Sequence, residues 1–311
     1  MKILFAGTPE VAADVLKAIV LAGHEVVLVL TREDAPTGRG KVMTESAVAI
    51  SAAELDIQTV KTNRPDAEDL AKIKSSGAQL GIVVAYGTIL KVEVLDSLAA
   101  GWFNLHFSLL PKYRGAAPVQ RSIMAGDNET GVTMFKLEQG MDTGPIAGQA
   151  HTSINPRETS GELLARLGLL SVSLLSEVLP GIYSGTLDLR EQKGKPTFAP
   201  KPTREEAKIN FNQEAIDIQH QILGLNPGPM AWCLAGEEPM RVLDALETRS
   251  SVVLDAIGSS EQGSISSHEG RVFIHCGSGT VLELIEVQPS SKRAMLAKDW
   301  YNGNRKIEKL L

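Results

Sequence analysis

Short, almost wholly apolar runs alternate with amphipathic stretches through the first half of the chain. The apolar runs, residues 2–6, 25–30, 57–60, 80–85 and 102–106, are too short for buried helices and predict strands covered on both faces. Between them, residues 9–21, 45–54 and 66–74 carry apolar positions at helical spacing. Strand and helix in alternation predict an α/β fold, a Rossmann-like, mostly parallel sheet with helices on both faces. A helix over 118–125, a β-rich stretch over 130–154 and a long helix over 159–179 follow.

The texture then changes. Gly185, Gly194, Pro196, Pro200 and Pro202 stand among scattered charges, which predicts an extended linker over 185–205. Beyond it a helix over 214–223 precedes short strand candidates near Met230, Met240, Val252, Ile265, Val272 and Val281, separated by Gly and Ser turns. That spacing predicts a small OB-like β-barrel. The first domain is therefore expected over 1–184 and the second over 206–311, as a 311-residue chain divides naturally into two domains of about 150.

Composition narrows the function classes. Apolar residues make up 43% and charged residues 22%, ordinary for a globular protein and unlike a disordered chain or a fibre. With 31 basic against 37 acidic side chains the net charge is −6, so any polyanion must meet a local patch. Cys233 and Cys276 lie far apart without CxxC spacing, which argues against a disulfide framework or a cysteine-rich zinc site and for a reducing, cytoplasmic setting. The most lipid-like stretch, 163–179, is interrupted by Arg166 and Glu177, so no membrane association is expected. The first strand leads into Gly7-Thr8-Pro9 without GxGxxG, which disfavours a nicotinamide cofactor. Residues 38–41 look like part of a P-loop, but Ala35 and Val42 stand where that motif needs Gly and Ser or Thr. HExxH, paired Cys/His spacing and GxSxG are absent, and no metal is assigned.

In an open parallel sheet, ligands bind beyond the carboxyl ends of the strands. Asn104 and His106 sit two apart at such an end, so an amide and an imidazole face the same way and can share one substrate atom. Asp142, between Gly140 and Gly144, can approach His106, orient it and favour its charged form. On spacing alone the same residues also fit a histidine satisfied in the core. Val84, Ala85, Tyr86 and Gly87 end another strand, where a glycine frees backbone groups to pair with a flat heterocycle; a plain strand-to-loop turn fits equally.

With Asn104, His106, the run SLLPKYRGAAPVQ from Ser108, and Asp142 in order, the chain resembles the folate-dependent formyltransferases. Phe5-Ala-Gly-Thr-Pro9, Gly38-Arg-Gly-Lys41 and Asn226-Pro-Gly-Pro-Met230 fit the same family, and the likeness spans nearly the whole chain. It implies that 10-formyltetrahydrofolate, as co-substrate, donates its formyl group to the α-amine of methionine on initiator tRNA. It further implies that Asn104, His106 and Asp142 are catalytic and that Ser108, Leu109, Leu110 and Pro111 line the folate site. Asn104 and a protonated His106 would then hold the oxyanion. Leu110–Pro111 is a candidate cis peptide, and alternation puts Phe107 opposite His106, in packing.

For tRNA, the resemblance places Arg39 and Lys41, in a loop over 31–46, beside the acceptor end. The second domain is a poor generic RNA binder, since residues 205–311 hold 10 basic and 15 acidic side chains, a net −5. From Gln288 onward, however, the local balance is +4, and Lys292 and Arg293 are the expected contacts; a solvated tail fits the same charges. A monomer is expected. An enzyme formylating an aminated sugar nucleotide is the nearest rival, ahead of a hydrolase and of a non-catalytic RNA-binding protein.

Overall fold

A computed structural model describes residues 1–38 and 40–311. It forms two compact units. The first holds Met1–Pro118, Glu129–Ser153 and Leu164–Pro200; the second holds Val119–Asn128, Ile154–Leu163 and Lys201–Leu311.

In the first unit, β1 (Ile3–Gly7), α1 (Glu10–Leu21) and β2 (Val26–Thr31) open the fold. The hairpin β3 (Ala35–Thr37) and β4 (Val42–Thr44) follows, exposed along its length, where the sequence predicts only a loop. Then come α2 (Ala47–Glu54), β5 (Thr59–Lys61), α3 (Ala67–Ser75), β6 (Leu80–Val84), the short α4 (Val92–Leu95) and β7 (Trp102–His106). α5 (Pro118–Met124) starts at this unit's edge, and β8 (Glu129–Lys136), β9 (Ile146–Ser153) and α6 (Ser160–Ser184) complete the first half of the chain.

The sheet order is β5-β2-β1-β6-β7-β8-β9, parallel from β5 to β7 and antiparallel from β7 to β9. β1 and β6 are buried at every position, as strands covered on both faces must be. α1 buries Val11, Val15, Leu16 and Ile19, each worth about 1.5–3 kcal/mol, along one helical stripe. α3 starts where it does because Asp66 and Asp69 form a reciprocal capping box. Gly81 faces Trp102 across the sheet, and any Cβ there would overlap the indole, whose Nε1 donates to the Val94 carbonyl at 2.8 Å. α6 has 25 residues and is long and apolar enough to cross a membrane by composition, yet Leu167, Leu174, Leu175 and Leu179 line the core.

Residues 187–199, read from composition as linker, are built into this unit. Arg190 pairs with Ile146, and the amides of Arg114 and Ala117 donate to the Thr197 and Ala199 carbonyls at 2.9 and 3.0 Å.

The second unit packs α7 (Ala215–Gly224) on β10 (Trp232–Ala235), β11 (Glu238–Thr248), β12 (Ile265–His268), β13 (Arg271–His275), β14 (Val281–Pro289) and β15 (Met295–Leu296). α8 (Ser251–Ile257) intervenes after β11, and α9 (Ala297–Gly303) ends the regular elements. Val252, predicted as strand, lies in α8: Val253, Leu254 and Ile257 share one helical face and pack on Phe273 and Val281. The antiparallel order is β10-β11-β14-β13-β12, with β15 beside β14, and β11 is bulged at Val242–Ala245, which bends it. The last residues bridge both sheet edges. Leu234 and Leu311 exchange backbone bonds at 2.6 and 3.0 Å, while Leu310 donates to the Gly263 carbonyl and Ile265 to the Glu308 carbonyl. The end of the chain is thus structural, with Leu310 in the core and 1% exposed.

Candidate active site

The winding of the first sheet reverses between β1 and β6, and the crevice at such a switch point is where ligands bind. Three strand ends meet there. Thr8, just after β1, donates its hydroxyl to the Tyr86 carbonyl at 2.9 Å, tying down the turn after β6. Ala85 and Gly87 take positive φ of 46° and 81° and are exposed, whereas the Tyr86 ring turns inward. Its hydroxyl donates to the Thr62 carbonyl at 2.8 Å, and burial pushes its pKa up to about 12. This turn, after Val84, therefore offers a ligand its backbone and not its aromatic side chain.

β7 presents Asn104 and His106 on one side. Among the described residues the Asn104 side-chain carboxamide has no hydrogen-bond partner. His106 is the opposite: it is 5% exposed, meets Phe135 edge-on at 6.4 Å, and has Nε2 at 2.8 Å from the Tyr113 carbonyl. A carbonyl only accepts, so Nε2 carries the proton and Nδ1 is the free nitrogen of the neutral ring. Nδ1 faces the Asp142 carboxylate, 3.7 Å away, beyond a hydrogen bond but within ion-pair reach. Asp142 sits at φ 53° in its glycine-bracketed loop, and its Oδ2 accepts the Gly115 amide at 2.7 Å. Gly115 needs to be glycine, since it has φ 122° and a Cβ would press on the Ala199 carbonyl.

One expectation is overturned here. Asp142 does favour the charged imidazole, as does the Tyr113 carbonyl, but burial outweighs both and holds the His106 pKa below its ordinary 6.5. The resting ring is a neutral proton acceptor, not an imidazolium, and its Nε2 proton is already engaged.

The segment after His106 is rigidly held. The Thr133 hydroxyl donates to the Ser108 carbonyl and accepts the Leu110 amide, and Gln149 donates to the Leu110 carbonyl at 3.1 Å. The Ser108 hydroxyl donates to the Lys112 carbonyl at 2.6 Å, Leu109 is half-buried, and Leu110–Pro111 is cis as predicted. Phe107 is buried in packing.

The sequence profile of the formyl transferase family matches residues 1–179, and that of the formyl transferase C-terminal domain matches residues 201–305. The chain belongs to the formyl transferase family. It is 42% identical over 303 residues to the methionyl-tRNA formyltransferase of Clavibacter sepedonicus, covering 97% of each chain. To that of Clavibacter michiganensis subsp. michiganensis it is 44% identical over 303 residues, again with 97% of each covered. Among solved structures it is similar to the N-formyltransferase from Helicobacter canadensis in complex with folinic acid and dTDP-3-aminofucose. That match has a TM-score of 0.67 and 20% identity, over 93% of this chain and 99% of that one. HypX from Aquifex aeolicus in complex with tetrahydrofolic acid gives a TM-score of 0.66 at 14% identity, and 98% of this chain covers 48% of that one.

The remaining predicted residues of this formyl transferase that the structure describes lie on exposed surface. Lys41, at φ 48°, is exposed beside β4; Arg39 lies outside the described residues. Lys292 and Arg293 are exposed between β14 and β15, with no carboxylate partner among the described residues. Lys309, counted in the same cationic stretch, is paired with Glu261 at 3.1 Å. Among the described residues no group of three His, Cys, Asp or Glu is placed to hold a metal. Sequence reading misses the groups that hold the formyl transferase site in shape: the Tyr113 carbonyl, the Gly115 amide, Thr133, Gln149 and Gln192. For Gly115 a signal exists, a glycine within the specific run after His106; backbone acceptors carry none.

Proposed function

We propose that this formyl transferase moves the formyl group of 10-formyltetrahydrofolate to the α-amine of methionine on initiator tRNA, the reaction named for its Clavibacter relatives. The likeness to those enzymes across both halves of the chain carries the reading, and the geometry around His106 agrees with it.

The amine nitrogen attacks the formyl carbon, and the carbonyl electrons move onto oxygen. Asn104, whose amide is uncommitted, takes that oxyanion, a contribution of about 3 kcal/mol. The amine proton passes to Nδ1 of neutral His106, and the cation so formed lies against Asp142. When the tetrahedral carbon collapses, the bond to the folate nitrogen breaks and that nitrogen takes the proton back. The products are formylmethionyl-tRNA and tetrahydrofolate. Asn104, His106 and Asp142 are thus the catalytic residues of this reading. Ser108, Leu109, Leu110 and Pro111, with the backbone of Val84, Ala85, Tyr86 and Gly87, line the folate site, a fit supported by the exposed backbone of the turn after β6.

Residues 1–184 carry the chemistry, braced by residues 187–199 of the stretch 185–205 that leads on to the second domain, and 206–311 form an OB-like barrel closed by the final residues and used for tRNA. Arg39, Lys41, Lys292 and Arg293 are the tRNA contacts of a monomeric, cytoplasmic enzyme that needs no metal or nicotinamide. The decisive experiment offers purified protein the formyl donor with methionine-charged initiator tRNA and an aminated sugar nucleotide in competition. Formyl on methionine is expected. Formyl on the sugar would overturn the acceptor, and transfer to neither would overturn the whole reading.

A further inference from the structure

We propose that Gln192 is a positioning residue for formyl transfer, its amide bracing the Asp142 loop against the segment that holds His106; this rests on the roles given above to Asp142 and His106. Gln192 lies in the stretch whose composition reads as linker, far along the chain from either residue. Its Nε2 donates to two carbonyls of the aspartate loop, those of Asp142 at 2.8 Å and Gly144 at 2.9 Å. Its Oε1 accepts from Arg114, from Nη2 at 2.6 Å and Nε at 3.2 Å.

Arg114 stands between the two groups that fix the catalytic pair. On one side, the Tyr113 carbonyl takes the Nε2 proton of His106; on the other, the Gly115 amide holds the Asp142 carboxylate. Arg114 is itself anchored, donating its amide to the Thr197 carbonyl and accepting from the Ala199 amide at 2.8 Å, while Tyr113 donates its amide to the Thr197 hydroxyl at 2.9 Å. A closed circuit results: Gln192 to the backbone of Asp142, its carboxylate to Gly115, Gly115 to Arg114 along the chain, and Arg114 back to Gln192. The separation between Nδ1 and the carboxylate is fixed by that circuit.

Only a carboxamide satisfies it, because the site needs two donated hydrogens and one accepting oxygen from a single side chain. Glutamate would keep Arg114 but set oxygen against two carbonyls. The loop has need of a brace, since Gly140 and Asp142 both take positive φ and Met141 and Thr143 are exposed. Gln192 touches neither the imidazole nor the carboxylate, so its effect on the reaction passes through Asp142.

The test is single-turnover formyl transfer to methionine-charged tRNA by the full chain, with KM for donor and tRNA, in Gln192→Ala, Asp142→Asn and the double variant. Gln192→Ala is expected to slow transfer about ten- to a hundredfold with both KM values held within about twofold. Added to Asp142→Asn, it should cost less than about twofold, because the group it positions is already disabled. Gln192→Glu, of the same shape, should lose at least as much and carries the test should the alanine variant prove too unstable to assay. A rate within twofold of the parent, or an undiminished loss in the Asp142→Asn background, overturns the proposal. Parental activity in Asp142→Asn alone would instead overturn the assignment of Asp142, which keeps the two failures distinct.

Discussion

His106 in the first unit is buried and held between the Tyr113 carbonyl, the Phe135 edge and the Asp142 carboxylate, whereas Lys292 and Arg293 in the second unit stand exposed on a turn with no carboxylate partner among the described residues. The contrast follows from what each surface has to do. A proton moved between defined atoms needs fixed separations and exclusion of water, where charge is felt strongly. Attraction of a polyanion acts across a Debye length of about 8 Å and gains from cations that water leaves free to move. Damage to the first surface should therefore be abrupt and to the second gradual.

The largest expected effect lies at the rim. His106→Ala and Asp142→Asn remove the proton path and should each slow single-turnover transfer about 10²- to 10⁴-fold. Asn104→Ala removes an uncommitted donor and should cost about 10²- to 10³-fold. None of these changes should weaken tRNA binding measured without turnover. If any of the three leaves the rate within a few-fold of the parent, the rim is not where the bond is made.

The second unit has a frame of its own, and Leu310 tests it. Its side chain fills the core while its backbone joins the strand edges. Leu310→Ala should destabilise this unit by about 2–5 kcal/mol, read as a shift in its urea midpoint. An unmoved midpoint would return the end of the chain to the status of a solvated tail.

That tail also marks where sequence reading ends. β1, β2, β6 and β7 are legible because apolar runs and period-two alternation are local properties, and the Asn104–His106 pairing follows from them directly. The edges joined by Leu310 and Leu311 are far away in sequence, and no local pattern announces them. α8 is misread because seven residues cannot distinguish a helical period from a strand. Around the site, Asp142 is legible from its flanking glycines, but Gln192 is hidden by linker-like composition and the Tyr113 carbonyl has no sequence signature at all. The charge state of His106 is misjudged for a related reason: a neighbouring carboxylate can be guessed from a motif, but depth of burial cannot.

A smaller change is expected on the exposed surface. Reversing Lys292 and Arg293 to glutamate should weaken tRNA binding and flatten the slope of log affinity against log salt, by about 0.9 for each phosphate left without its cation. An unchanged slope would remove this turn from the tRNA surface and leave the second unit without an assigned contact.

The smallest effect separates the two units by pH. His106 and, in the second unit, His275 both have pKa values pushed below 6.5 by burial. In each case the unfolded chain takes up its proton first as pH falls, so stability is full above 6.5 and declines toward the lowered folded value. The slope is at most about 1.4 kcal/mol per pH unit for each ring. Activity should follow only one of them. Transfer needs neutral Nδ1 and an unprotonated α-amine, a base of pKa about 7.7–8.0, so the rate divided by the fraction of free amine should be flat above 6.5 and fall on the acid side through the lowered pKa of His106. His275→Gln should reduce the acid loss of stability and leave that limb of the rate profile in place. A limb that moved with His275→Gln would show that acid acts on transfer through the fold of the second unit, and the neutral imidazole at the rim would lose its claim to the proton.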